Sequence, residues 1–324
     1  MIRYVFGPED LGRVRFAISP LFELAASVEA LRNPDAHGIH APWARAARRR
    51  IAGLDIELLD ALVAGVGYRP DFLTPPPDTP RPGLEDGLAR VRETAPDQVR
   101  KELGWTFPGG RMPGAAQALL EDPAAALERL TGQMSAYWDR AIAPWWERIV
   151  AALEADVDHH ARGLAAAGPL AAFADLHPRV SWRAGAVEVE HSYDAGVELA
   201  GRGLLLVPAA FVWPGLWAML DPPWQPAIVY APRGLGTLWQ PRRRRDPGAL
   251  GGLLGTRRAR ILSELAAPAS TSELAERLDA SAAGVSEHLG VLRRAGLVAA
   301  TRAGRLVLYV RTEAGDAVVR AAGG

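Results

Sequence analysis

The sequence predicts an α+β protein, with a mostly helical N-terminal region that carries a small mixed or antiparallel sheet and a separate C-terminal domain. Three observations support this prediction. Apolar residues recur at helical spacing over much of 19–164, short strand-like segments follow within 180–230, and a proline-bounded run of arginines at 241–248 precedes a second helical stretch. A length of 324 residues fits about two domains. We therefore predict domains over 1–240 and 249–324, joined by a linker at 241–248.

Helix signals dominate the first half of the chain. Ser19 is a favourable N-cap and Pro20 a favourable first helical residue, so we expect a helix from there to about Arg32. The proline-rich segment 66–83 predicts a loop, because proline removes a backbone donor and disfavours a helix. Further helices are expected over about 42–50, 55–63, 84–103 with an interruption at Pro96, and 133–164 with a kink at Pro144.

Strand signals are confined to a shorter region. Segments with apolar or alternating character are 180–182, 186–190, 203–207 and 227–230. The uncharged run 203–220 is broken by Pro208 and Pro214, so we expect a buried strand followed by a short helix rather than a membrane span. The N-terminus lacks the apolar stretch of a secretion signal, and we expect a cytoplasmic protein.

Charge is unevenly distributed although the chain is neutral overall, with 37 basic and 37 acidic residues. Residues 242–324 contain 14 arginines and 8 acids, a net charge of +6, and the remainder carries −6. This asymmetry indicates that the C-terminal part meets a polyanion. The chain contains no cysteine, which excludes disulfides, thiolate zinc sites and a cysteine nucleophile.

Two short helices with a tight turn are predicted in the C-terminal domain. A helix over 249–266 ends before Pro268, and Ser270 with Glu273 forms a capping box for a helix to about residue 278. Ser281 then caps a helix over 282–295, which Gly296 ends. Such a pair is a helix-turn-helix.

A β-hairpin and a last helix are predicted after this pair. The segments 297–301 and 306–311 are strand-like, and Ala303 with Gly304 provides a turn. Thr312 and Glu313 begin a short helix. A hairpin that follows a helix-turn-helix is a wing.

These residues resemble the ArsR-like winged helix-turn-helix regulators. The resemblance covers about a quarter of the chain and rests on S-E-L-A-E-R-L at 272–278, S-A-A-G-V-S-E-H-L-G-V-L-R-R-A-G-L-V at 281–298 and G-R-L-V-L-Y at 304–309. The N-terminal region is similar, at 16–24 and 230–234, to the long front domain of some actinobacterial regulators of this type, for which no chemistry is assigned.

The resemblance and the helical pattern together predict a site for double-stranded DNA. A helix fits the major groove, and its free N-terminal N–H groups favour a phosphate. By resemblance, Ser286 and His288 occupy positions that usually face DNA. Position 287, which is a glutamate here, often carries a basic residue in relatives. The candidate DNA-binding residues are Thr271, Ser281, Ala283, Gly284, Ser286, Glu287, His288, Arg293, Arg302 and Arg305.

Some of these residues have alternative interpretations. Glu287 either accepts from a cytosine amino group or is simply solvated, and His288 is alternatively a core histidine. The arginines at 242–245 either add sequence-independent attraction or form a solvated linker. The whole winged helix is alternatively a protein-contact domain.

Neither a cofactor nor a metal site is predicted. Many relatives sense metals through cysteine pairs or Asp/His sets that are missing here, so metal sensing is not inherited from the resemblance. Asp156 and His160 are spaced to chelate an ion, but we expect an exposed polar helix end. No phosphate-binding glycine loop or nucleophile elbow is present, and we expect no enzyme activity; an acid–base role for His191 is the less favoured alternative.

The front domain is expected to dimerise, to sense a signal, or both. Candidate ligand-binding residues are Trp182, His191, Tyr193, Trp213 and Trp217. The sequence thus predicts a homodimeric transcription regulator, a repressor that responds to an unknown small-molecule effector. The alternatives are a protein-interaction module tethered by a winged helix and an enzyme fused to a DNA-binding domain.

Overall fold

The computed structural model of the chain describes residues 1–64, 68–168, 170–239, 249–303 and 306–322. The chain divides into two compact units, Met1–Trp239 and Gln240–Gly324. The arginine-rich segment 241–248, predicted as a linker, lies outside the described residues. No helix in the described part of the chain is both long and apolar enough to cross a membrane.

Helices form most of the regular secondary structure that is described in the N-terminal unit. They are α1 Pro20–Arg32, α2 Ala41–Ile51, α3 Glu57–Val63, α4 Leu84–Arg92, α5 Pro96–Thr106, α6 Gly114–Glu121, α7 Pro123–Ala141, α8 Trp146–Ala167 and α9 Ala171–Ala174. The helix expected over 133–164 is in fact two helices, because the backbone around Pro144 forms a 3₁₀ turn between α7 and α8. Pro96 likewise begins α5 rather than bending one long helix.

Two mixed sheets complete the described part of this unit. The first contains β1 Ile2–Val5, β3 Val180–Arg183, β4 Ala186–Val189 and β5 Ala195–Glu198 in the order β3-β4-β1-β5. The second contains β2 Arg15–Phe16, β6 Leu205–Pro208, β7 Leu216–Met219 and β8 Ala227–Tyr230 in the order β2-β6-β8-β7. In the second sheet β6 and β8 are parallel, and β7 lies antiparallel at the edge.

The second sheet lies between the helices and the first sheet. Leu205 and Val207 pack into the helical core, whereas Leu206 between them packs into the core of the first sheet. Successive side chains of a strand point to opposite faces, so both faces of β6 are buried. This explains why the sequence of β6 is an uninterrupted apolar run.

The α+β class is confirmed, but the single small sheet of the sequence prediction is two sheets. The short helix expected after the strand in 203–220 is a 3₁₀ turn, Ala210–Val212, followed by β7. β1, β5 and β7 were not predicted as strands. β1 carries a recognisable period-two signal, since Ile2 and Tyr4 are fully buried while Arg3 and Val5 are exposed.

The C-terminal unit has its own core. Its elements are α10 Ala249–Leu254, α11 Thr256–Glu264, β9 Ala269–Ser270, α12 Thr271–Leu278, α13 Ala282–Arg294, β10 Val298–Ala303, β11 Leu306–Arg311 and α14 Glu313–Ala322. The helix expected over 249–266 is two helices, because Gly255 adopts a φ of +82° and interrupts the helical backbone. β9 pairs with β11, which gives the described strands of this unit the order β10-β11-β9.

Close packing of α14 on the hairpin requires a glycine. A Cβ atom at Gly315 would collide with the carbonyl oxygen of Leu297. We expect Gly315→Ala to lower the free energy of unfolding of the C-terminal unit by about 2–4 kcal/mol. Gly252→Ala is the matched control, since a Cβ there meets no atom within 4 Å. Hydrogen exchange of peptides from 269–322 measures the effect, and equal protection in both variants would contradict this packing.

Candidate nucleic-acid interface

The turn between α12 and α13 is fixed by local hydrogen bonds. Ser270 Oγ accepts from the backbone N–H of Glu273 at 3.3 Å, and Glu273 Oε2 accepts from the backbone N–H of Ser270 at 2.7 Å. These hydrogen bonds to Ser270 lower the pKa of Glu273. The capping box predicted from the sequence is therefore confirmed. At the other end of α12, Asp279 adopts a left-handed conformation that turns the chain towards α13.

The N-terminus of α13 is capped as the sequence predicts. Ser281 Oγ accepts from the backbone N–H of Gly284 at 3.2 Å. This leaves other N–H groups of the first turn without a helical partner, so they are available to an anion. The cap sets the point at which α13 begins, and with it the side of the helix that each residue occupies.

The two sides of α13 differ in burial. Val285, Leu289 and Leu292 are buried in the core of the unit. The other side is open: Ala283, Ser286, Glu287 and Arg293 are exposed, and Gly284 and His288 are half-buried. His288 therefore lies at the margin of the helix and not in the core. The polar side predicted to read DNA is free of contact with the unit's own core.

Arginines supply positive charge around α13. Arg293 and Arg302 are exposed, and neither makes an ion pair with a residue that the structure describes. Arg257 and Arg260 of α11, which were not predicted as DNA contacts, are also exposed and make no ion pair within the described residues. Arg305 lies outside the described residues.

A cavity of about 370 Å³ lies beside the N-terminus of α13. Its walls include Arg257, Arg260, Ser281, Gly284 and His288. Two guanidinium groups next to a helix N-terminus favour an anion such as a phosphate of the DNA backbone. Gly284 contributes no side chain to this wall, and a Cβ atom there would lie 3.1 Å from Ser281 Oγ. Thr271, the remaining predicted contact, is half-buried at the start of α12.

The N-terminal unit contains a larger cavity, of about 440 Å³. Three of the predicted ligand-binding residues line it, namely His191, Tyr193 and Trp217. Trp182 and Trp213 do not. Trp182 stacks on Phe173 with 5.8 Å between the ring centroids, and Trp213 packs against His40.

Other residues of this cavity were not predicted. They come from the proline-rich loop and from α1, and include Glu29, Tyr68, Arg69 and Asp71. The Arg69 guanidinium lies 3.6 Å from the centroid of the Trp217 ring and forms an ion pair with Glu29. Burial, and then the negative charge of Glu102, raise the pKa of Asp71 to about 8.

Asp156 and His160 do not form the exposed helix end expected from the sequence. Both are buried, with relative exposures of 2%. The Tyr230 hydroxyl donates to Asp156 Oδ2 at 2.7 Å, and the backbone N–H of Arg233 donates to Oδ1 at 2.9 Å. Asp156 therefore joins α8 to the end of β8 and to the segment that follows it. Within the described residues no cluster of three or more His, Asp or Glu side chains is arranged to hold a metal ion.

Comparison with known protein families gives one match within each of the two compact units. Residues 108–234 match a family of unknown function, DUF5937, and residues 257–300 match a family of helix-turn-helix domains. No curated protein is significantly similar to the chain. No solved structure is significantly similar to the chain.

The fold and the site define a DNA-binding regulator of the helix-turn-helix class. More specifically, the chain joins an N-terminal segment that matches DUF5937 to a C-terminal segment that matches helix-turn-helix domains.

Proposed function

We propose that the protein is a sequence-specific transcriptional repressor that reads DNA with α13 and the β10–β11 hairpin. The observation that carries this proposal is the open polar side of α13, where Ser286, Glu287 and Arg293 are exposed while the opposite side is buried. Hydrogen-bonding side chains on such a helix read base edges in the major groove, and arginines bind phosphates. The repressor assignment is supported by the resemblance to ArsR-like regulators.

The proposed DNA-binding form is a homodimer in the cytoplasm. One α13 helix contacts only a few base pairs, and two copies related by a two-fold axis read two half-sites about 34 Å apart. This spacing corresponds to one turn of duplex DNA. The proposal therefore predicts an inverted repeat in the bound DNA.

The N-terminal unit is proposed to sense a small molecule rather than to catalyse a reaction. Its 440 Å³ cavity falls within the range of small-molecule sites, and aromatic and charged side chains line it. A ligand regulates DNA binding only if its affinity differs between the DNA-competent and DNA-incompetent states.

Mapping the genomic sites occupied by the full chain tests this function most broadly. We expect the occupied fragments to share an inverted repeat with half-sites about 10 base pairs apart. The purified chain should bind such a fragment at physiological salt far more tightly than a fragment of the same composition in scrambled order. Equal affinity for the two fragments would contradict sequence-specific reading.

A further inference from the structure

The larger cavity has the character of a site for an organic cation. Its walls come from α1, the end of α3, the loop around residues 68–74, the segment 191–193 and the edge strand β7. Four aromatic side chains face this space: Phe22, Tyr68, Tyr193 and Trp217. Aromatic faces carry negative electrostatic potential and attract ammonium groups.

The positive groups of the cavity wall are already neutralised. Arg69 is paired with Glu29, and Arg32 is paired with Asp60 at 2.6 Å. Arg69 also shows that the ring of Trp217 accepts a cation on its face. Burial lowers the pKa of His191, so its imidazole is neutral near pH 7.

Asp71 is the carboxyl group in the wall without an ion pair of its own, because the nearby Arg69, whose charge lowers the pKa of Asp71, is paired with Glu29. It makes no ion pair with a described residue, in contrast to Glu29. The ionisable groups that influence it are Tyr4 on β1, Tyr68 and Arg69 on its own loop, Glu102 on α5, Tyr193, and Asp221 after β7. Glu102 and Asp221 are further carboxyl groups, so the surroundings of Asp71 are predominantly acidic.

Two buried polar atoms next to Asp71, the Tyr68 hydroxyl oxygen and Arg69 Nε, have no hydrogen-bond partner of good geometry among the described residues. The Tyr68 hydroxyl nevertheless lies close enough to Asp71 to lower the pKa of that carboxyl. Buried polar groups are normally satisfied by protein, water or a ligand. A donor group bound beside Asp71 would supply a partner for the Tyr68 hydroxyl oxygen. An N–H-bearing cation suits the carboxyl of Asp71 and the hydroxyl oxygen of Tyr68 together.

We propose that this cavity binds a small organic amine in its protonated form, with the ammonium group against Asp71 and the apolar body among the aromatic side chains. The inference rests on the proposed sensory role of the N-terminal unit and names the chemical class of the effector. The ammonium group forms a charge-assisted hydrogen bond to the carboxylate and contacts the aromatic rings.

Calorimetric titration of the full chain without DNA tests this site separately from the regulatory function. The probes are phenethylamine, the neutral 2-phenylethanol and the anionic 3-phenylpropionate. We expect saturable binding of the amine and at least about tenfold weaker binding of the other two. Because Asp71 is largely protonated at pH 7, amine binding should also release a proton, which titrations in two buffers of different ionisation enthalpy detect.

Two variants complete the test. Asp71→Asn should weaken amine binding about tenfold or more and abolish the proton release. Glu190→Gln removes an exposed carboxylate outside the cavity wall and should leave both unchanged. Equal binding of amine and alcohol, full binding by folded Asp71→Asn, or no amine binding by the folded native chain would overturn the proposal. Since DNA is absent, none of these results depends on the repressor function.

Discussion

Replacing Arg293 and Arg302 together by alanine should abolish most of the affinity of the chain for duplex DNA at physiological salt. Both arginines are exposed, Arg293 near the end of α13 and Arg302 on β10, and neither is neutralised by a described carboxylate. Removing one arginine–phosphate interaction should make the slope of log affinity against log salt concentration shallower by about 0.9. We therefore expect a roughly 30- to 100-fold loss of affinity in dilute salt and a slope shallower by about 2, measured by fluorescence anisotropy.

The position of the removed charge distinguishes a direct phosphate interaction from an effect of net charge. Arg320 is exposed near the end of α14, so Arg320→Ala removes the same charge from the same unit. We expect Arg302→Ala alone to change the salt slope by about 1 and Arg320→Ala to leave it nearly unchanged. If both single variants behave alike, the hairpin is not near the phosphates.

Glu23 should make a contribution to the stability of the N-terminal unit that is lost as the pH rises from about 4.5 to 7. Glu23 on α1 is fully buried, and its carboxyl accepts from the backbone N–H groups of Ala210 at 2.6 Å and Phe211 at 3.1 Å. Burial nevertheless dominates and raises its pKa to about 7. A carboxyl group whose pKa is raised on folding contributes its full stabilisation of the folded chain at pH values below its pKa in the unfolded chain. This contribution is lost as the pH rises through its pKa in the folded chain. The shift corresponds to about 3 kcal/mol.

Tryptophan fluorescence during urea unfolding measures this effect in the full chain. All ten tryptophans lie within the first 239 residues, so the signal reports the N-terminal unit alone. Glu23→Gln cannot ionise, and we expect it to be less stable than the native chain at pH 5. Between pH 5 and 7 its free energy of unfolding should fall by about 2 kcal/mol less than that of the native chain, and the remaining pH dependence comes from other shifted groups such as Asp71 and His40. A pH dependence equal to that of the native chain would assign the titration to another group.

The C-terminal unit was largely predictable because its signals are local. A capping box, a serine cap and a glycine stop each act within about four residues, and apolar residues at i, i+4 and i+7 mark the buried side of α13. The sequence therefore indicated α12, α13 and the exposed side of α13. It did not indicate the break between α10 and α11, because a lone glycine is also tolerated inside a helix.

The N-terminal sheets were less predictable because their pairing is long-range. β1 pairs with β4 and β5, which follow more than 180 residues later, and a four-residue strand has little signal of its own. β7 contains Trp217 and follows Pro214, and the preceding apolar run is equally typical of a short helix. Asp156 was misjudged for the same reason: its partners Tyr230 and Arg233 lie more than 70 residues away.

The cavity was only partly predictable from the sequence. An aromatic residue near a strand is found both in cores and in cavity walls, so Trp182 and Trp217 could not be distinguished. Tyr68, Arg69 and Asp71 lie in a loop whose prolines predict its irregular backbone but not its contacts. Only the folded chain brings these residues beside β7.

Cleavage of bound DNA from a reagent attached to α13 tests the central claim most directly. The chain has no cysteine, so Ser286→Cys provides a single site for a cysteine-reactive iron chelate. The matched control is Ala321→Cys, at an exposed position near the end of α14. If α13 lies in the groove, the reagent at residue 286 will cut both strands within the bound sequence, and the reagent at residue 321 will cut weakly. DNA that is bound but not cut from residue 286, or cut equally from residue 321, would contradict the account.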